Sequence, residues 1–397
     1  MSSTDPVILG AARTPMGRLA GALGPLPAVD LGGRAIAAAL ARAGVPAQRV
    51  DRVILGQVLQ AGQGQGPARQ AAVAAGVPMD VPAVTVNSVC LSGVQALAQA
   101  DRLIRLGEAD VVVAGGMESM TGAPHLIPGS RAGYRLGDGR LVDALIHDGL
   151  WCAIDDQHMG TTSDAVNARL GITRAAQDAW AARSHARAAA AWDEGRLAEE
   201  VVPVEAPARR GQTITVDRDE GVRPDTTVEG LAALPPAFTA QGTITAGNAS
   251  QISDGAAALV VASPRAAADL ARAAQGRLVA FGSVAGPDAT LHDQPAAALH
   301  AAAARAGLAA DRLDRYEINE AFAAVALHAT ERLGVSHERV NVNGGAVALG
   351  HPIGCSGARL VVTLLAELAR LGGGRGAASL CGGGGQGDAV LCEVPAA

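Results

Sequence analysis

An internal repeat constrains the fold of this chain more than any other feature of its sequence. The stretch "ARAGVPAQRVDRVILGQV", which begins at Ala41, returns as "ARAGLAADRLDRYEINEA", which begins at Ala304. The stretch "CLSGVQALAQADRLIRLGEADVVVAGGM" likewise corresponds to "GCSGARLVVTLLAELARLGGGRGAASLCGGGG", so that Cys90 aligns with Gly354. Each copy alternates helices with apolar strands, the order that builds a largely parallel sheet covered by helices. We therefore expect two similar α/β halves packed about a pseudo-twofold axis.

The region between the two copies has a different pattern. It contains Gly and Pro clusters, an Ala-rich helical stretch and segments typical of exposed strands and turns. We interpret this region as an inserted loop domain that lies over the active site. The predicted organisation is an N-terminal half of residues 1–119 and 253–274, a loop domain of residues 120–252, and a C-terminal half of residues 275–397.

Composition excludes several classes of function. The 397 residues carry a net charge of −6, which provides no basic field for nucleic acid or an anionic membrane. No apolar run is long enough to cross a bilayer, and the first residues lack a secretion signal, so we expect a cytoplasmic protein. All 32 basic side chains are arginine, which excludes Schiff-base and P-loop lysine chemistry. The expected partners are small molecules and other copies of the chain.

The five cysteines are not spaced as metal ligands are, and their number is odd. We therefore expect no zinc site, no other metal site and no complete disulfide framework. One of these thiols, Cys90, lies in "VTVNSVCLSGVQAL", where an apolar strand runs into a helix. The N–H groups that open a helix favour a thiolate, which predicts a nucleophile. The alternative is that Cys90 packs as a small buried hydrophobe.

Three further motifs predict a site around Cys90. The stretch "NVNGGAVALGHPIGCSGARL" places His351 in the second copy near the position that Cys90 has in the first. A pseudo-twofold axis would then bring thiol and imidazole together as an activated-nucleophile pair, although a solitary histidine is more often structural. "ASLCGGGGQGDAVL" adds Cys381 beside glycines whose N–H groups can approach a substrate oxygen. "YEINEAFAA" puts Asn319 and Glu320 at a strand end, where α/β proteins bind ligands.

These motifs, in their order and spacing along essentially the whole chain, resemble the thiolase family. "NSVCLSG", "HMGTTSD", "TAGNASQISDGAA", "NEAFA", "GGAVALGHPIGCSG" and "LCGGGGQG" carry the resemblance. It implies a five-layered αβαβα fold, built from two duplicated α/β halves plus an inserted loop domain. It also implies enzymes that join or split acyl groups on coenzyme A.

The resemblance further implies a role for each site residue. Cys90 would carry the acyl group, and His351 would be the base that activates it. Cys381 would act as acid or base on the substrate α-carbon or the departing thiol. Asn319 would hold a water that, with His351, stabilises the enolate oxygen of the thioester. The N–H groups of Cys90 and Gly383 would form a second oxyanion hole.

Other positions match the coenzyme A contacts of the family. Ser250 would hydrogen-bond the pantetheine arm, and Arg223 would lie near the nucleotide end. The channel would be lined by His158, Met159, Phe238 and Phe322. Ordinary core packing is the alternative for the two phenylalanines.

The resemblance implies condensation of two acetyl-CoA molecules to acetoacetyl-CoA and free coenzyme A, or the reverse thiolysis. Coenzyme A is then substrate and product, and no cofactor is expected. The alternatives are a 3-ketoacyl-CoA thiolase of broader chain length, a carrier-protein ketosynthase, which Cys381 argues against, and a non-catalytic lipid-binding relative. A homodimer or homotetramer is expected, because "GSRAGYRLGDGRLVDAL" resembles the tetramer loop of the family.

Overall fold

A computed structural model describes residues 5–396. Within this range the strands are β1 Val7–Arg13, β2 Gly17–Arg18, β3 Arg52–Gly56, β4 Ala83–Val86, β5 Val111–Ser119, β6 His125–Leu126, β7 Val142–Asp143, β8 Trp151–Cys152, β9 Gln157–His158, β10 Val204–Pro207, β11 Thr213–Val216, β12 Ser253–Ala262, β13 Gly276–Ala285, β14 Arg315–Ile318, β15 Gly374–Gly382 and β16 Gln386–Val394. The α-helices are α1 Ala28–Ala43, α2 Pro67–Ala74, α3 Ser92–Arg105, α4 Met159–Leu170, α5 Arg174–Asp193, α6 Val228–Ala232, α7 Pro264–Asp269, α8 Gln294–Ala306, α9 Ala323–Leu333, α10 Ala346–Leu349 and α11 Ser356–Arg370.

The main strands form one hydrogen-bonded sheet, in the order β14-β15-β16-β13-β1-β12-β5-β3-β4. The two halves of this order meet where β1 pairs with β13 at only two positions, Val7 with Arg277 and Ile8 with Gly276. Only the outer pairs β14–β15, β3–β4 and β3–β5 are parallel. The expectation of a largely parallel sheet is therefore wrong. The inner strands β1, β12, β13 and β16 pair antiparallel with their neighbours, which makes each half a mixed sheet.

Side-chain alternation along the strands explains the layers. In β5, Val112 and Ala114 face a core shared with α3 and α11, whereas Val111 and Val113 face a core shared with α1. Successive side chains of a strand point to opposite faces, so a strand that is apolar throughout buries both faces. The strands of the C-terminal half behave in the same way between α11 on one side and α8 and α9 on the other.

The predicted five-layered αβαβα fold is confirmed. The layers are α1 with α2, the N-terminal strands, α3 with α11, the C-terminal strands, and α8 with α9. Helices α3 and α11, which belong to equivalent positions of the repeat, therefore form the central layer. The exact domain boundaries stay a prediction. Among the described residues, no helix is long and apolar enough to cross a membrane.

The two central helices touch at their first turns through equivalent glycines. A Cβ atom on Gly93 would lie 2.5 Å from the main-chain nitrogen of Ala358, and one on Gly357 would lie 2.7 Å from that of Val94. Since real Cβ atoms do not approach backbone so closely, both positions require glycine. This contact joins the two copies of the repeat next to Cys90 and Gly354.

We predict that Gly93→Ala destabilises the protein by about 1–3 kcal/mol, because the new methyl group overpacks against the backbone of α11. Thermal unfolding followed by circular dichroism checks this. Gly230→Ala in α6 is the matched control, since the nearest atom to its Cβ would be 3.5 Å away. Equal unfolding midpoints for the two variants would contradict the proposed close contact.

Candidate active site

Cys90 lies in a tight turn between β4 and α3. The preceding residue, Val89, has a φ of 51°, a left-handed conformation that is unusual for a β-branched side chain. Ser92 supports this turn, because its Oγ donates to the Val89 carbonyl at 2.5 Å and accepts from the Ser88 N–H at 2.9 Å. Strain of this kind persists only where neighbouring groups hold it. The turn therefore fixes the thiol just ahead of α3.

The resting Cys90 is a thiol and not a thiolate. Burial raises the pKa of Cys90 to about 12, and this effect outweighs the N–H groups of Cys90 itself and of Gly383, which donate to the sulfur and lower its pKa. The prediction that the helix N-terminus favours the thiolate is therefore wrong, because the net change in the Cys90 pKa is upward. Only the Cys90 N–H belongs to the start of α3, whereas Gly383 follows β15. A base must take the proton before this sulfur can attack.

His351 has the protonation state of such a base. Burial lowers the pKa of His351 to about 4, with a smaller contribution from the Arg359 charge, so the imidazole is neutral near pH 7. Its Nδ1 lies 2.5 Å from the Ser356 Oγ, and that hydroxyl donates to the Pro352 carbonyl at 2.9 Å. Because the hydroxyl proton is used there, Nδ1 carries the hydrogen and Nε2 keeps its lone pair.

Asn319 follows β14, and its side chain lies next to Nε2 of His351. Its Nδ2 lies 3.4 Å from Nε2 of His351, and its Oδ1 is buried without a hydrogen-bond partner among the described residues. A buried amide oxygen of this kind can accept a hydrogen bond from a water or from a substrate. The neighbouring Glu320 turns away instead and accepts from Trp180 Nε1 and Ser184 Oγ of α5, both at 2.8 Å. Glu320 thus anchors the insertion to the end of β14.

Cys381 lies near the end of β15 in an apolar cluster with Phe322 and Val325. Burial raises the pKa of the Cys381 thiol well above its ordinary value, and the charge of a Cys90 thiolate would raise it further. This second thiol is therefore protonated at rest. Once deprotonated it is a strong base.

Most of the predicted site residues line one cavity of about 210 Å³. Seven of the predicted residues line it: Cys90, His158, Met159, Ser250, Phe238, Phe322 and His351. Cys381 does not line this cavity, but the cluster that contains it packs against Met159, Phe238 and Ala249 of the cavity wall. Asn319 and Gly383 reach the site through their contacts with His351 and Cys90. The lining is mostly apolar, as expected for a site that holds a small acyl group.

The insertion supplies His158 and Phe238 of the cavity wall, and the C-terminal half supplies Phe322. His158 caps α4, because its Nδ1 accepts from the Gly160 N–H at 3.0 Å. Its ring stacks on Phe238 with centroids 4.6 Å apart, and Phe238 meets the edge of Phe322 at 6.0 Å. Burial lowers the pKa of His158. The two phenylalanines are therefore both core packing and cavity wall.

Arg223 is the one predicted contact outside this group. It is exposed and does not line the cavity, and its main-chain N–H donates to Nδ1 of the buried His185 at 3.1 Å. Within residues 5–396, no three or more His, Cys, Asp or Glu side chains are arranged to hold a metal ion.

Sequence reasoning missed two side chains that hold the site together. Ser356 fixes the His351 tautomer, and it could have been noticed because it is the repeat equivalent of Ser92. Glu118 lies one residue before the end of β5 and accepts hydrogen bonds from the N–H groups of Val58 at 2.9 Å, Leu59 at 3.1 Å and Gly354 at 2.9 Å. Burial raises its pKa to about 7. Glu118 thus ties both copies of the repeat together near the thiol.

Comparisons with known proteins show the family to which the chain is similar. Residues 6–265 match the family model for the thiolase N-terminal domain, and residues 272–394 match that for the thiolase C-terminal domain. The chain is 56% identical over 385 residues to a probable acetyl-CoA acetyltransferase of Mycolicibacterium smegmatis, covering 97% of this chain and 99% of that protein. It is 48% identical over 386 residues to the acetyl-CoA acetyltransferase of Pseudomonas aeruginosa, covering 97% and 98%.

A solved structure extends this similarity to the fold. The crystal structure of the Bacillus anthracis acetyl-CoA acetyltransferase superposes with a TM-score of 0.96 at 39% identity, covering 99% of each chain. The duplicated α/β halves are thus those of the thiolase fold. The chain belongs to the thiolase family.

We predict that Ser356→Ala slows alkylation of Cys90 by iodoacetamide about tenfold at neutral pH, because Nδ1 loses its acceptor and the imidazole loses its fixed tautomer. Quenched labelling and peptide mass spectrometry give the rate. Ser336→Ala, which removes a hydroxyl that accepts from the Glu338 N–H in a surface turn, is the control. An unchanged rate in the Ser356 variant would refute the tautomer assignment.

Proposed function

We propose that this chain is an acetyl-CoA C-acetyltransferase, which condenses two acetyl-CoA molecules to acetoacetyl-CoA and coenzyme A and catalyses the reverse thiolysis. The observation that carries the proposal is the shared apolar cavity of Cys90 and a neutral His351, with the second thiol Cys381 packed behind its wall. The names of the similar proteins support the same substrate class.

In the first half-reaction, Nε2 of His351 takes the Cys90 proton as the sulfur attacks the acetyl carbonyl of acetyl-CoA. The carbon–sulfur bond to coenzyme A breaks, and Cys381 gives its proton to the departing thiolate. Cys90 is then an acetyl thioester, His351 is an imidazolium and Cys381 is a thiolate. Splitting the reaction through a covalent intermediate replaces one difficult step by two easier ones.

In the second half-reaction, the Cys381 thiolate removes an α-proton from a second acetyl-CoA. The enolate attacks the acetyl group on Cys90, a carbon–carbon bond forms, and the Cys90 sulfur leaves and recovers its proton from His351. The high pKa of Cys381 suits this role, because only a strong base can remove a weakly acidic α-proton. The protons therefore balance over the complete cycle.

Two oxyanion sites are proposed for the two half-reactions. The N–H groups of Cys90 and Gly383 converge near the nucleophile sulfur and would stabilise the oxygen of the tetrahedral intermediates. The unpaired Oδ1 of Asn319 can accept from a water whose other hydrogen faces the enolate oxygen. Protonated Nε2 of His351 would be the second donor at that oxygen.

The proposal also covers the cofactor requirement, the oligomeric state, the location and the coenzyme A contacts of the protein. The steps above use only side chains and N–H groups of this chain, so we propose that no cofactor takes part and that coenzyme A is only substrate and product. We propose a homodimer or homotetramer, supported by the exposed apolar side chains Leu136 and Leu141 before β7. We also propose a cytoplasmic location and a role in fatty acid metabolism. Arg223 and Ser250 are proposed to contact coenzyme A.

A broader 3-ketoacyl-CoA thiolase is the second candidate function. It would need room for longer acyl chains, whereas Met159 and Phe322 fill one wall of the cavity. A non-catalytic acyl-CoA or lipid-binding relative is disfavoured because the thiols, the imidazole and the amide are all in place.

The central test separates the two half-reactions. Incubation with acetyl-CoA should add one acetyl group to Cys90, and Cys90→Ala should abolish both this adduct and acetoacetyl-CoA formation. Cys381→Ala should still be acetylated, yet condensation should fall by about 10²–10⁴-fold, because the base for the α-proton is lost. Intact-protein and peptide mass spectrometry detect the adduct, and absorbance of acetoacetyl-CoA follows condensation.

Cys392→Ala is the matched control, because it removes a fully buried thiol from β16 outside the cavity. This variant should keep both half-reactions. Normal condensation by the Cys381 variant would refute its assigned role, and an unmodified Cys90 in the unaltered protein would favour the binding relative.

Chain length separates the two candidate enzymes. We predict that thiolysis efficiency falls steeply from acetoacetyl-CoA to 3-ketohexanoyl-CoA, and that Met159→Ala flattens the decline. Each methylene that fits contributes about 0.8 kcal/mol, whereas one forced into a packed wall costs as much or more. Comparison of kcat/KM across the series checks this, with Met79→Ala at an exposed position as the control. Equal efficiency on acetoacetyl-CoA and 3-ketooctanoyl-CoA in the unaltered protein would favour the broad-range enzyme.

A further inference from the structure

Gln251 makes an unusual set of side-chain contacts in the wall of the cavity. Its Nε2 amide donates to three main-chain carbonyls: Gly221 at 3.0 Å, Val347 at 3.0 Å and Ala348 at 3.1 Å. An amide has only two hydrogens, so one of these bonds is shared. A single side chain therefore joins the insertion, at Gly221, to the C-terminal half, at α10.

These contacts cap the helix that leads to His351. Helix α10 is one turn long, and the last carbonyls of any helix lack partners within it. Gln251 supplies that partner for Val347 and Ala348. The chain then passes through Gly350, with a φ of 115°, directly to His351.

The main chain of Gln251 contacts the base itself. The His351 N–H donates to the Gln251 carbonyl at 3.1 Å, and Ser253 Oγ donates to the same carbonyl at 2.9 Å. Thus the side chain holds the segment before the imidazole and the main chain holds the imidazole-bearing residue. Gly221 fits closely on the other side, since a Cβ there would lie 2.6 Å from Gln251 Nε2.

We propose that Gln251 is a positioning residue for His351: its amide clamps α10 against the insertion at Gly221 while its carbonyl holds the His351 N–H. This inference rests on the proposed function, because His351 is the base in the acetylation of Cys90. A displacement of the imidazole by a fraction of an ångström weakens proton transfer without removing any group that binds substrate.

Gln251→Met tests the proposal, because methionine has a similar length and no N–H donors. The maximal rate of Cys90 acetylation at saturating acetyl-CoA should fall about tenfold, while the acetyl-CoA concentration at half-maximal rate stays near that of the unaltered protein. Rapid-quench mass spectrometry gives both values. Gln275→Met, at an exposed glutamine before β13, is the matched control, and thermal unfolding verifies that each variant folds.

Gln251→Glu provides a second, pH-dependent test. Its carboxylate repels the carbonyls at neutral pH, whereas its protonated form donates one hydrogen bond. The maximal acetylation rate of the variant, divided by that of the unaltered protein at the same pH, should therefore recover as the pH falls from about 8 to about 5. His351 remains neutral over this range, because burial lowers its pKa to about 4.

The possible results are distinct. A wild-type maximal rate in Gln251→Met, or a change only in half-saturation, would show that Gln251 is merely part of the cavity wall and would overturn the inference. If Gln251→Met fails to fold, a pH-independent rate ratio between Gln251→Glu and the unaltered protein would overturn it instead. Absence of Cys90 acetylation in the unaltered protein would overturn the proposed function, and this inference with it.

Discussion

The contact between α3 and α11 is the constraint on which the rest of the structure depends. Gly93 and Gly357 let the two helices approach to backbone distance at their first turns. The thiol of Cys90 precedes one of these turns and the imidazole of His351 precedes the other. Their relative position is therefore set by helix packing, and Glu118 secures the same junction through N–H groups from both copies of the repeat.

Burial sets the electrostatics of this junction. The same removal from water raises the pKa of both thiols and lowers that of His351, so the resting site carries no charge on these three groups. Charge then appears only when a proton moves during the reaction. N–H donors and an amide that are already in place can stabilise that charge without reorganising, which is the condition under which such groups contribute most to catalysis.

The repeat explains why so much could be predicted from sequence. Equivalence of the two copies predicted paired halves and the meeting of Cys90 with His351, because both follow from local patterns related by symmetry. Strand direction was mispredicted because apolar runs such as β12 show burial of both faces but not which way the neighbour runs. The Cys90 pKa was mispredicted because a helix terminus can be recognised from neighbouring residues in the sequence. Burial of the thiol depends instead on residues far along the chain. The partners of Glu118 were missed because hydrogen bonds from a side chain to distant backbone leave no sequence period. The contact of Ser356 with His351 is local, and the repeat equivalence of Ser356 and Ser92 was the signal for it.

The insertion and the duplicated halves contribute different residues to the site. The halves carry the two thiols and the imidazole, whereas Met159 and Phe238 of the insertion line the cavity. Buried polar contacts attach this wall: Asp164 of α4 accepts the Thr243 N–H at 2.9 Å and the Ile244 N–H at 3.0 Å, which holds the segment after Phe238. Because these anchors are separate from the α3–α11 contact, a substitution in the wall can change acyl-chain preference while thiol and imidazole keep their geometry. The cavity wall and the junction of thiol and imidazole are thus held by different contacts of one chain.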